Sequence, residues 1–325
     1  MRALITGVTG FAGSHLAEYL LAHTDLEVWG TDIGSNEQNV AHIREELNLV
    51  VGDMAQPDVV SDILTQARPD HVYHLAAQAF VPVSWRDPWQ TIANNVRAQL
   101  NILQAMITLD TRPKVLVVGS ADEYGMIGPD ELPIIESTPL RPYSPYAVSK
   151  IAQDMLGYQY YASHGMPIIR VRPFNHIGAR QSPSFVISDF AKQMAEIEAG
   201  LREPQIRVGN LEARRDFTDV RDMVRGYHLA LERGEPGEVY NLGGERAHSI
   251  REVLDLLLEM SKVDIQVTLD SARLRPTDVP VVVSDCTKFR QRTGWRATIS
   301  LRESLVDVLN YWRERTQEDR NGEKR

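Results

Sequence analysis

The chain has 325 residues, 43% of them hydrophobic and 24% charged, with 35 basic against 44 acidic side chains. A net charge of −9 argues against a surface built to track a nucleic-acid backbone, though local basic pockets for small phosphate compounds stay open. Cys286 is the only cysteine, which excludes an internal disulfide and a cysteine-rich zinc site.

A chain of this length buries a large core without disulfides. The start at Ala3-Leu4-Ile5 breaks at once into glycine-rich sequence, unlike a secretory signal. No apolar run reaches bilayer length, so a cytoplasmic protein with neither a membrane nor a nucleic-acid partner is expected.

In chain order, Arg2–Thr6 reads as a strand and Phe11–His23 as a helix with Leu16, Tyr19 and Leu20 on one face. Strands follow at Glu27–Asp32, 47–52 and 70–75. A helix near 95–109 leads to a strand at 114–119, and a helix over Pro145–His164 leads to one at 167–172. This alternation predicts an α/β fold: a Rossmann doubly wound parallel sheet with helices on both faces. Residues 173–183, rich in Pro, Gly and polar groups, read as a long functional loop. Helices are then expected at 185–200, 219–233, 250–261 and 301–313, and short strands at 206–208 and 238–241. The polar tail from Gln317 should fray. Residues 1–172 plus 215–245 are expected to form the dinucleotide-binding domain. Residues 173–214 plus 246–325 should form a smaller α/β substrate-binding lobe.

Gly7-Val8-Thr9-Gly10-Phe11-Ala12-Gly13 places three glycines at a strand-to-helix junction. The first admits a tight turn, the second lets the backbone approach a pyrophosphate, and the third permits close helix–strand packing. The helix N-terminus at Phe11 and Ala12 offers N–H groups to the phosphates. Asp32, about 20 residues on, stands where an acid bonds the adenosine ribose 2′-hydroxyl. Its charge repels a 2′-phosphate and no Arg or Lys follows directly, so NAD(H) is expected over NADP(H). Asp53 and Met54 are candidates for the adenine. The small residues in His74-Leu75-Ala76-Ala77-Gln78 let backbone approach the cofactor, or simply pack tightly.

Tyr146-Ala147-Val148-Ser149-Lys150 puts Tyr146 and Lys150 on one helix face. Lys150 is expected to hold the cofactor ribose and to draw the tyrosine, ordinarily near pKa 10, toward neutrality. Ser120, at the end of a predicted strand, supplies a hydroxyl beside Tyr146. The three form the expected catalytic set.

These motifs together resemble the extended short-chain dehydrogenase/reductase family over nearly the whole chain. Gly119-Ser120-Ala121-Asp122-Glu123-Tyr124-Gly125, Phe174-Asn175-His176-Ile177-Gly178, and the stretches 209–217 and 275–280 resemble the branch that modifies GDP-mannose. The resemblance implies NAD(P)H-dependent reduction of the C4 keto group of GDP-4-keto-6-deoxy-D-mannose to GDP-6-deoxy-D-mannose. The alternative is 4,6-dehydration of GDP-mannose, or another nucleotide-sugar epimerase or dehydratase activity. Sugar-nucleotide dehydratases carry Thr at the position of Ser120 and Glu two residues later, where this chain has Asp122. Some carry Asp where Ala121 stands, and Glu123 replaces a usually apolar residue. These departures favour the reductase. Asp122 and Glu123 stay open between acid–base work and a hydrogen-bonded turn.

By the same resemblance, Arg215 and Arg275 grip the diphosphate with planar, bidentate forks, unless each forms a surface ion pair. Asn175 bonds a phosphate or sugar hydroxyl. Arg207 and Asn210 lie near the base. Ser84 and Trp85-Arg86-Asp87-Pro88 line the sugar site, with Trp85 equally a core residue. His176 reads as a structural, hydrogen-bonded histidine. No spacing suggests a metal site. Similar enzymes pair the helices at 95–109 and Pro145–His164 across a two-fold axis, which implies a homodimer.

Overall fold

A computed structural model describes residues 1–34, 36–270, 273 and 279–322. The first elements are β1 (Arg2–Thr6), α1 (Phe11–His23), β2 (Glu27–Asp32), β3 (Asn48–Val51), α2 (Pro57–Ala67), β4 (His71–His74), α3 (Val81–Arg86), α4 (Pro88–Thr108), β5 (Lys114–Val118), α5 (Pro145–His164) and β6 (Ile168–Pro173). Then come β7 (Asn175–Ile177), α6 (Val186–Glu198), β8 (Gln205–Val208), β9 (Arg214–Asp219), α7 (Val220–Arg233), β10 (Val239–Leu242), β11 (Ala247–Ser249), α8 (Ile250–Glu259), β12 (Gln266–Leu269), α9 (Thr287–Thr293) and α10 (Leu301–Gly322).

Seven parallel strands form the main sheet in the order β3-β2-β1-β4-β5-β6-β10. β4 and β6 are buried along their whole length, as strands covered on both faces must be. Leu16 and Leu20 of α1 and Val224 and Tyr227 of α7 pack on one face. Ile63 of α2, Ile102 and Leu103 of α4 and Tyr160 of α5 pack on the other. Burying each such side chain stabilises the fold by about 1.5–3 kcal/mol. Strand order reverses between β1 and β4, which opens a crevice at the carboxyl ends of the strands.

The start of α5 is set locally. The Ser144 hydroxyl accepts the Ala147 N–H at 3.1 Å, and Pro145 takes the first helical position. This cap fixes where Tyr146 and Lys150 begin their face.

A second core joins α6, α8 and α10 through Phe190, Met194, Leu254, Leu257 and Leu305. It carries two small sheets, β11-β9-β7 and β12-β8.

Several segments differ from expectation. The predicted loop 173–183 contains β7, which pairs with the unpredicted β9 in the register Asn175↔Phe217. β9 reads as polar, but its Asp216 is buried and satisfied by Ser284 and the Gly244 N–H. The tail from Gln317, expected to fray, is helical as far as the described residues go: α10 runs on to Gly322, and Arg320 donates to the Ala199 carbonyl at 3.2 Å. Residues expected in the lobe also return to the main sheet, where Cys286, Phe289 and Trp295 pack in the same core as Val224 and Tyr240.

Candidate active site

The crevice widens into a cavity of about 1170 Å³ that spans both cores. At one end it is lined by Gly7, Gly10, Phe11, Ala12, Gly13, Asp32, Asp53 and Met54. Gly7 has φ +71°, and a Cβ there would come within 3.0 Å of the Ala76 backbone. A Cβ on Gly13 would fall 2.1 Å from the Gly7 carbonyl oxygen. The turn is therefore a bare backbone cradle at the N-terminus of α1, of the form that accepts a pyrophosphate.

The facing edge, Leu75, Ala76 and Ala77, also lines the cavity. It is held from behind: the Ala76 N–H donates to the Thr6 hydroxyl at 3.1 Å, and that hydroxyl bonds His74 Nδ1 at 2.9 Å. Burial, seconded by Lys150, pushes His74 down to about 3, so its ring stays neutral. Arg180 donates to both oxygens of Glu18 at 2.6 Å, which ties the segment after β7 to α1.

Ser120, Tyr146 and Lys150 line the middle of the cavity. Lys150 Nζ donates to the Val118 carbonyl at 2.9 Å and lies 6.0 Å from the Tyr146 ring centre. Burial pushes Lys150 down to about 8, opposed by Glu123. Tyr146 moves the other way from expectation. Burial raises its pKa first and the Asp122 charge next, against a hydrogen bond with Ser120. The phenol is thus held protonated, a loaded proton donor.

Of the two acidic neighbours, Asp122 lines the cavity and Glu123 does not: its side chain is fully buried behind the wall.

Asn175, Asn210 and Arg215 line the far end. Arg215 Nη1 donates to the Val279 carbonyl at 2.7 Å, and Asp216 bonds Ser284 rather than Arg215. Burial lowers the His176 pKa against its bond to the Phe174 carbonyl, and its ring stacks on Phe11.

Two expected substrate residues are not in the cavity. Alternation along β8 turns Ile206 and Val208 inward and leaves Arg207 exposed. Ser84 is buried within α3, its hydroxyl spent on the Val81 carbonyl at 2.7 Å. Trp85 is 61% exposed and belongs to no core. Arg275 lies outside the described residues. Tyr143, Phe185, Asp189 and Arg273 line the cavity unforeseen. Arg273 donates to Asp189 at 2.5 Å, a pairing between distant segments that no local pattern announces.

Fold, cradle and Ser–Tyr–Lys set define an NAD(P)-dependent oxidoreductase of the extended short-chain dehydrogenase/reductase kind. The chain belongs to the GDP-mannose 4,6 dehydratase family, whose pattern matches residues 4–308. It is 35% identical over 319 residues to the GDP-6-deoxy-D-mannose reductase of Pseudomonas aeruginosa, covering 98% of this chain and 99% of that one. It is 30% identical to a GDP-mannose 4,6-dehydratase of Vibrio cholerae, covering 95% and 92% respectively. The structure of RMD from Pseudomonas aeruginosa complexed with NADPH superimposes with a TM-score of 0.85 at 33% identity, covering 97% of this chain and 99% of that one.

Proposed function

We propose that the chain reduces the C4 keto group of GDP-4-keto-6-deoxy-D-mannose to GDP-6-deoxy-D-mannose (GDP-D-rhamnose). The observation that carries this reading is Tyr146 hydrogen-bonded to Ser120, in one cavity with Lys150, the glycine cradle and Arg215. A bound dihydronicotinamide supplies the hydride. Gly7, Gly10 and Gly13 seat its pyrophosphate, and Lys150 holds the adjoining ribose. Ser120 donates a hydrogen bond to the substrate's C4 oxygen and orients it. Tyr146 gives that oxygen its proton. Arg215 and Asn175 hold the diphosphate and sugar.

Asp122 keeps the dehydratase as a second reading, since it lines the cavity near Tyr146. One incubation decides. Stoichiometric oxidation of NADH or NADPH by the 4-keto sugar, with a GDP-deoxyhexose product, establishes the reductase. No oxidation, with GDP-mannose converted to the 4-keto compound, establishes the dehydratase.

The proposed cofactor preference is NADH. Among the described residues the only Lys and Arg lining the cavity are Lys150, Arg215 and Arg273, none beside Asp32. A 2′-phosphate placed there meets a carboxylate and no counter-charge. NADH should exceed NADPH in kcat/KM, and Asp32→Ala should move that ratio at least about tenfold toward NADPH. A parent enzyme favouring NADPH sinks the assignment.

The cofactor unit, proposed as 1–172 plus 215–245, also receives the segment around Phe289 and Trp295. A homodimer is proposed on the outer faces of α3, α4 and α5, where Trp85 (61%), Trp89 (74%), Val148 (43%), Met155 (42%) and Tyr158 (49%) are exposed. Sedimentation at micromolar concentration should give twice the chain mass, and a monomer refutes it. Among the described residues no helix is long and apolar enough to cross a membrane. The proposed location is the cytoplasm, where nicotinamide and nucleotide-sugar pools meet.

A further inference from the structure

Glu123 follows a cavity residue yet shows no exposed surface. Its Oε1 accepts the Ser120 backbone N–H at 2.8 Å, closing the short turn Ala121–Glu123. Its Oε2 lies 3.1 Å from Nε of Arg172 on β6. Arg172 also donates to Asp154 of α5 and, at 3.1 Å, to the Tyr124 hydroxyl. The wall is cut to receive this carboxyl: a Cβ on Gly119 would fall 2.2 Å from Glu123 Oε1.

Burying a carboxyl is costly, and an apolar side chain would fill the space at less cost. What the carboxyl does here is hold the backbone of one catalytic residue. The Ser120 hydroxyl oxygen meanwhile accepts the Asp122 N–H at 3.1 Å. That contact leaves the hydroxyl hydrogen to be donated outward, as a carbonyl substrate requires.

We propose that Glu123 is a positioning residue: ion-paired with Arg172, its carboxyl fixes the Ser120 backbone through the hydrogen bond to Oε1 and so aims the Ser120 hydroxyl at the reacting oxygen. The proposal rests on the reduction assigned above. The charged and titratable groups around Glu123 are Arg172, Asp154, Lys150 and Tyr146 from the packed elements, and Asp122 and Tyr124 from its own turn. Burial and Asp154 push the Glu123 carboxyl up, against Arg172. Its negative charge raises both Lys150 and Tyr146. Removing that charge lowers both groups, so the alkaline limb of the pH–rate profile moves to lower pH.

The test compares the parent enzyme with Glu123→Ala, Glu123→Gln, Gly119→Ala and the double variant Gly119→Ala/Glu123→Ala. Steady-state rates are read with thermal melting and NADH titration. Glu123→Ala should lose on the order of 100-fold in kcat, with substrate KM and NADH affinity nearly unchanged. Glu123→Gln keeps an acceptor for the Ser120 N–H and should recover most of that loss, with its alkaline limb displaced downward. Gly119→Ala displaces the carboxyl and should mimic Glu123→Ala. In the Glu123→Ala background it should add little, because the severe clash is gone and only a 3.1 Å approach to the Val171 carbonyl oxygen remains. A kcat for Glu123→Ala within about threefold of the parent overturns the proposal. So does a loss that only tracks the unfolded fraction. Should Glu123→Ala not fold, a Glu123→Gln pH profile identical to the parent's overturns it. A parent enzyme that oxidises no cofactor with the 4-keto sugar refutes the reduction itself, a distinguishable failure.

Discussion

Tyr146→Phe is expected to lower kcat by about three orders of magnitude while leaving NADH affinity within a few-fold of the parent. The substitution removes one oxygen and keeps the ring, so α5 retains its packing. What disappears is the proton delivered to C4–O. Lys150 is not placed to replace it: its ammonium bonds the Val118 carbonyl at 2.9 Å, and its remaining donors serve the cofactor ribose in the proposed mechanism. The pH dependence follows from the same groups. Burial and the Asp122 charge raise the Tyr146 pKa, so the donor stays protonated through neutral pH. Lys150, pushed down to about 8 by burial, loses its charge as pH rises through that value. The parent kcat/KM should therefore be flat near neutrality and fall on the alkaline side from about pH 8. Stopped-flow loss of reduced-nicotinamide absorbance checks both points. A Phe variant with full rate assigns the proton to another group, with Asp122, the acid lining the same cavity beside Tyr146, the next to test.

The parts of this site that were readable in advance lie within a few consecutive residues. Gly7, Gly10 and Gly13 make one turn, and Tyr146 and Lys150 share one helical face, so spacing alone places them. Ser120 was readable because a strand end is a local feature. Resemblance placed Arg207 near the base, but alternation along β8 turns that side chain outward and away from the cavity. The hidden part is the polar layer behind the wall. Glu123, Asp154 and Arg172 come from a turn, a helix and a strand, and each looks like a surface charge in isolation. The same reason concealed β9, whose Arg214-Arg215-Asp216-Phe217-Thr218-Asp219 reads as solvated until Ser284 and Ser304 arrive to bond its buried acids.

Arg172→Met should destabilise the fold by about 3–5 kcal/mol, because breaking one side of a buried ion cluster strands its partners. The Arg172 side chain is 4% exposed. It bonds Asp154, the Tyr124 hydroxyl and the Glu136 carbonyl, and faces Glu123. Asp154 keeps Arg170, which it meets at 2.7 Å, so Glu123 is the group that loses its nearest counter-charge and keeps only the weaker field of Lys150. That carboxyl is already raised by burial and Asp154 with Arg172 opposing, and it must rise further when Arg172 goes. An acid raised in the folded state binds its proton there more tightly than in the unfolded chain. Its contribution is therefore most favourable at low pH and is lost as pH rises through the folded value. The cost of Arg172→Met should be nearly constant below about pH 7 and grow above about pH 8, where the parent's Glu123 has lost its proton and the variant's has not. Urea unfolding of both proteins at about pH 6.5 and about pH 9.5 measures it. Equal costs at both would show that Glu123 does not feel Arg172. Arg172→Lys should rescue little, since a single ammonium cannot span Asp154, Tyr124 and the Glu136 carbonyl as a planar fork does.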